Sequence, residues 1–170
     1  MYVKLAQFVT IMLYVLVAGV MWGTWLSLGR TMTAYDATTF LADGKHMIAN
    51  LATVMAVLMI SAVVLGAVVV VVLLRRGSAL AGWLALAGLV LMVGVLVVTL
   101  AVEVPIDNEI NEWTADTLPA DWTAIRSRWA AFHTVRTFLS LGSVAALIGA
   151  ALTDDLPARS AAAGSRSVAA

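Results

Sequence analysis

Four long apolar runs, divided by polar interruptions, set the pattern of this chain. The first extends from about Leu5 to Leu28 and the second from about Asn50 to Leu74. The third extends from about Ala79 to Val102 and the fourth from about Phe132 to Leu152. Each reaches the ~20 helical residues that cross a hydrocarbon core. The valines from Val68 to Val72 favour strands in water. In lipid every backbone polar group must be satisfied within its own segment, so helix wins. The pattern predicts an all-α, integral membrane four-helix bundle with a polar extramembrane loop and an extended fourth helix. Residues 1–153 form the transmembrane domain, and 154–170, rich in Ala, Ser and Arg, read as a disordered tail.

The interruptions differ. Arg75-Arg76-Gly77-Ser78 reads as a tight basic turn. Arg30 to Ala49 reads as a longer connection, and Glu103 to Ala131 is rich in acids and tryptophan. Pro105 is expected to end the third helix, because the residue before a proline avoids helical geometry. Pro119 and Asp121 offer a start for the fourth, which then projects above the membrane before its apolar part begins. Gly19 and Gly23 in the first run, and Gly88 and Gly94 in the third, are small residues of the kind that lets helices approach.

Composition sharpens this picture. The chain is 62% apolar and 12% charged, against about 45–50% and about 25% for soluble domains. Ten basic and ten acidic residues cancel, so no global field attracts nucleic acid. The absence of cysteine removes disulfides, thiolate metal sites and a cysteine nucleophile. The run after Lys4 exceeds the ~7–15 residues of a signal-peptide core and reads as a retained helix. Lys4, Arg75, Arg76, Arg159 and Arg166 fall on one side, and Arg30, Lys45, Arg126, Arg128 and Arg136 on the other. The counts tie, but the Arg pair sits in the shortest loop, where the positive-inside rule acts best. The expectation is a multi-pass plasma-membrane protein with both termini cytoplasmic.

The candidate chemistry gathers at the end away from that turn. At steps of three or four, Trp122, Arg126, Trp129, His133, Arg136 (or Thr137) and Ser140 line one face of the fourth helix. Glu103, Asp107 and Asn108 leave the third run on the same side, and His46 and Asn50 enter the second there. Arg136 reads foremost as an ion-pair partner of Glu103 or Asp107. His133 with a carboxylate reads either as a structural tie or as a reacting group. Two histidines and a carboxylate, His133, His46 and Glu103, also suit a non-haem iron, copper or zinc ion, though the spacing follows no recognised metal signature. Trp113, Trp122 and Trp129 read as an interfacial belt or as substrate-stacking groups, with Asn50 a further substrate contact.

The stretch Val104-Pro105-Ile106-Asp107-Asn108, with Ile110, Trp113, Pro119, Trp122, Arg128-Trp129, His133 and Arg136-Thr137, resembles the anthrone oxygenase-like family of small four-helix membrane proteins. The resemblance implies a monooxygenase acting on a lipophilic phenolic, anthrone or polyketide-like substrate with O2. It carries a role to Asn108, Trp129, His133 and Arg136. Asp107 stands where the family often has another asparagine, a departure that implies either an added carboxylate ligand or a different substrate.

Three functions follow as expectations. The first is an enzyme in which His133 is base or metal ligand, Glu103 or Asp107 orients it, and Asn108 and Arg136 stabilise an enolate. It works without a cofactor or with iron or copper, as a monomer or homo-oligomer. The second is a non-enzymatic scaffold, assembly factor or ligand-binding subunit in which the same cluster clamps helices. The third, a transporter, ranks last, because no charge falls near the middle of any run.

Overall fold

The computed structural model describes residues 2–29 and 31–154, so the tail expected from 155 onward and Arg30 lie outside the described residues. Five α-helices follow in order: α1 (Tyr2–Ser27), α2 (Ala37–Arg75), α3 (Ala79–Val98), α4 (Val104–Glu112) and α5 (Trp122–Thr153). A single wide π turn, Thr99–Glu103, joins α3 to α4 without a break, so four continuous helical rods are long and apolar enough to cross a membrane. The chain is a multi-pass membrane protein.

The rods form a square. α1 packs on α2 and α5, and α3 packs on α2 and α5. Tyr14, Val17, Met21, Met59, Val69, Leu73, Met92, Val95 and Leu147 fill the centre. Both ends of the chain's described part meet beside the Arg75–Ser78 turn: Lys4 Nζ reaches Asp154 at 3.2 Å, and the Asp154 carboxyl also bonds with Ser78. Gly77 makes that turn at φ 76°, where a side chain would be strained. Of the four glycines expected at helix contacts, the tight one is in the third rod. A Cβ on Gly88 would lie 3.0 Å from the Ser143 carbonyl of α5, whereas one on Gly19 or Gly23 would meet nothing within 4 Å.

Two connections differ from the expectation. α2 begins at Ala37, inside the stretch read as loop. Asp36 starts it, its Oδ1 accepting from the Thr39 N–H at 2.8 Å, and that contact holds its carboxyl below the usual range. α2 therefore runs 39 residues, about 58 Å at 1.5 Å each, and stands well above a core of about 30 Å. Pro105 does not end the third rod either. It lies in the first turn of α4, where a proline's missing N–H costs nothing. The π turn just before it lets the Val104 N–H reach back to the Thr99 carbonyl, so the helix passes the proline instead of stopping. Asp121 precedes α5 as expected, but its side chain makes no cap bond.

Above the membrane the projecting ends close over the bundle. Met32, Phe40, Leu41, Ile106, Ile110 and Trp129 form a second buried apolar cluster. Arg126, only 8% exposed, pins it. Its guanidinium donates to the carbonyls of Tyr35 at 3.2 Å and Thr33 at 3.4 Å and lies 4.8 Å over the Trp122 ring. Its partners are thus backbone carbonyls of the α1–α2 connection.

Candidate functional site

The buried face of α5 follows the stripe expected from its spacing: Arg126, Trp129, His133, Thr137 and Ser140 point inward, Ser143 extends the stripe, and Trp122 and Arg136 are half-buried at its margin. The hydroxyls bond within their own helix, Thr137 to the His133 carbonyl and Ser140 to the Thr137 carbonyl, both at 2.7 Å. Such back-bonding satisfies polar groups that lipid cannot. His133 and Arg136 have no such outlet and must find partners across the bundle.

His133 Nε2 lies 3.1 Å from the Met21 carbonyl of α1. A carbonyl only accepts, so Nε2 carries the hydrogen and Nδ1 is the acceptor. Nδ1 receives Arg136 Nε at 3.1 Å and Nη2 at 2.9 Å. Arg136 Nη2 also meets Glu103 Oε2 at 2.9 Å, and Nη1 donates to Thr99 Oγ1 at 3.4 Å. Glu103 is fully buried. Among the described residues neither of its oxygens has an aligned hydrogen-bond donor, so the Arg136 ion pair is what balances its charge. The π turn brings Thr99 and Glu103 inward together. A wide turn at this position is a common mark of a functional segment.

Trp129 covers the cluster. Its ring stacks on His133, and its Nε1–H donates to Asp107 Oδ1 at 3.2 Å. Below it lies a cavity of about 250 Å³. Its polar wall is Asp107, His133, Arg136, Thr99 and Thr24, with Trp129 above. The rest is apolar, with four methionines, Met21, Met47, Met55 and Met59. Methionine fits irregular partners and makes favourable sulfur–aromatic contacts.

The structure brings together Glu103, Asp107, Trp129, His133 and Arg136, and separates the other expected residues from them. His46 and Asn50 share a face of α2, as their spacing required, but it is not the face that lines the cavity; the cavity takes Met47, Ile48 and Leu51 instead. Asn108 follows Asp107 by about 100° of helix and is exposed. Trp113 and Trp122 flank the apolar cap and do not line the cavity, so of the three expected stacking tryptophans only Trp129 reaches it.

The metal set of His133, Glu103 and His46 does not fit. His46 is absent from the cluster, both His133 nitrogens are engaged, and the Arg136 guanidinium stands between His133 and Glu103, where it would repel a cation. Among the described residues no three of His, Asp and Glu gather to hold a metal ion. Sequence reasoning misses Met21, Thr99 and the α2 methionines. The first two act through a carbonyl and a hydroxyl that no motif marks.

A family model described as Anthrone oxygenase matches residues 45–146. The match covers more than half of the chain and includes Thr99, Glu103, Asp107, Trp129, His133 and Arg136. Neither the curated proteins nor the solved structures yield a match.

Proposed function

The chain belongs to the anthrone oxygenase family, and from that premise we propose that it oxidises a compact lipophilic phenol of the anthrone type with O2 inside the cavity beneath Trp129. A cavity of about 150 Å³ takes one benzene, so about 250 Å³ suits a fused-ring molecule better than an extended chain.

The observation that carries the reading is that Asp107 and Arg136 both stand on the wall of one largely apolar cavity. An anthrone is a carbon acid whose anion is an extended enolate. Asp107 takes the proton from the methylene carbon, with Trp129 holding Oδ1 and the other oxygen left for the substrate. Arg136 faces the enolate oxygen as charge develops there, and a preorganised cation in a dry site is the strongest stabiliser available. The enolate passes an electron to O2, and recombination forms a C–O bond to give the hydroperoxide after reprotonation. Loss of water then leaves the ketone, so the methylene group and O2 become a carbonyl group and one water. His133, with both nitrogens engaged, serves in this reading to aim Arg136 and not as the base. Asn108 and His46 take no part.

The test is anthraquinone formation by protein in lipid vesicles supplied with anthrone in air. Loss of a general base costs about 10²–10⁴ in rate, so Asp107→Asn should fall by that amount while its anthrone affinity holds. Full activity in Asp107→Asn sinks the assignment.

One observation favours a second reading. The Glu103–Arg136–His133 set closes on itself and ties α1, the π turn and α5, as a non-enzymatic scaffold requires. Under it, wild-type protein forms no anthraquinone, and Glu103 variants lose only stability.

A further inference from the structure

The cap covers the cavity from above, yet the cavity is not enclosed. Two residues of its wall, Ile60 and Leu100, are 57% and 59% exposed. They belong to two facing stripes. On α2, Ala52, Ala56 and Ile60 recur every four residues, and each both lines the cavity and is exposed. Opposite them, Leu96, Leu100 and Val104 recur every four residues along α3, the π turn and α4; Leu100 and Val104 are exposed and Leu96 half-buried. Residues four apart stand one above another on a helix, so these stripes are the two jambs of a vertical slit. Alanine at 52 and 56 leaves it wide on the α2 side.

Along α2 the slit begins about 22 Å above Arg75 and ends about 35 Å above it, at 1.5 Å per residue. In a core of about 30 Å its lower half lies in the leaflet on the cap side, and its top reaches that leaflet's headgroup edge. Every jamb residue is apolar, so nothing there holds water or a headgroup.

We propose that this slit is the doorway of the site: the substrate dissolves in the cap-side leaflet and enters sideways between α2 and the π turn, with Ala56 and Leu100 setting the width that passes. The ligand class is a flat, uncharged aromatic that partitions into lipid; the charged or extended molecule that water delivers is excluded. This rests on the oxidation reading for the identity of the ligand.

The chain lacks cysteine, so a single introduced thiol is the only one. Ala56→Cys and, as a control on the outer face of α3, Val90→Cys are placed in vesicles and modified with benzyl methanethiosulfonate. Anthrone binding is followed without O2 as the fluorescence change that Trp129→Phe abolishes. Modification of Ala56→Cys should slow binding by about tenfold relative to the same variant unmodified, with Val90→Cys unaffected. An unchanged binding rate, or no anthrone binding by wild-type protein, overturns the doorway. The oxidation reading is judged separately in air. Slowed binding with no anthraquinone from any form leaves the doorway standing and removes the oxidation. Anthraquinone formed at an unaltered rate after modification does the reverse.

Discussion

Trp129 and His133 lie ring on ring, with centroids 4.8 Å apart and planes 4° from parallel. The pair spans one helical turn, and it joins three layers: the cap above, the Asp107 carboxylate beside it and the Arg136 ion pair below. Trp129→Phe keeps the stacked ring and removes the N–H given to Asp107. A hydrogen bond to a charged group contributes about 1.5–3 kcal/mol. Unfolding in detergent should therefore shift modestly, and turnover should fall more than stability does. Equal loss of both would reduce Trp129 to a packing residue.

Glu103 and Arg136 offer the sharpest stability test. Removing one partner of a buried pair leaves an uncompensated charge, at a cost of about 3–5 kcal/mol. Glu103→Leu and Arg136→Met should each lower the thermal midpoint strongly. The double variant, with no buried charge left, should recover much of that loss while remaining inactive. A double variant no more stable than the singles shows that the pair does not act as a unit.

Arg126 holds the α1–α2 connection to α5 through two carbonyls. Arg126→Met keeps most of the packing and loses both bonds, at a cost of about 3 kcal/mol, the low end for two hydrogen bonds from a charged group. Loss of the pin should be local. Amide exchange should quicken through Met32–Ala34 and the first turns of α2, with little change in α3. Uniform quickening across the bundle would mean that the cap is not a separate unit.

The four rods are legible because lipid allows so few solutions: apolar length alone names a span. The inward stripe of α5 follows from period, and Arg136 with Glu103 follows from the cost of burying either alone. Phase and extent are lost where polar residues cover the helix. The polar start of α2, from Ala37 to Ala49, hides a helical segment, since Asp36 and Thr39 signal a start only once the cap is seen. The spacing of His46 and Asn50 marks a shared face without saying which face of α2 looks inward. Phe40, Leu41, Gly44, Met47, Ile48, Leu51, Met55 and Met59 mark the other stripe. Pro105 obeys the rule for α-helices only where the helix before it is α, and a π turn is the exception that a single sequence does not announce.

The far end of the bundle, outside the membrane, carries a pH dependence of its own. Burial of Asp154 pushes its carboxyl up, but hydrogen bonds from Ser78 and Lys4 and the charges of Lys4 and Arg76 outweigh it, so the carboxyl lies below its ordinary range. A group depressed in the folded state stabilises above its unfolded pKa, about 3.9 for aspartate, and that contribution disappears as pH falls through the folded value. The Lys4 side chain is 45% exposed, so solvent and salt screen the tie, and its worth is at most about 1 kcal/mol. Wild-type protein should thus exceed Asp154→Asn in thermal midpoint by a small, constant margin at neutral and mildly acid pH. The margin should shrink below about pH 4 and also narrow in about 1 M salt. Two controls fix the assignment. Lys4→Met should remove part of the margin at about pH 6, and Glu103→Gln should leave its pH profile in place while lowering stability throughout. A margin that persists at about pH 2.5 would show that Asp154 stabilises α5 as a helix-end packing group and not through its charge.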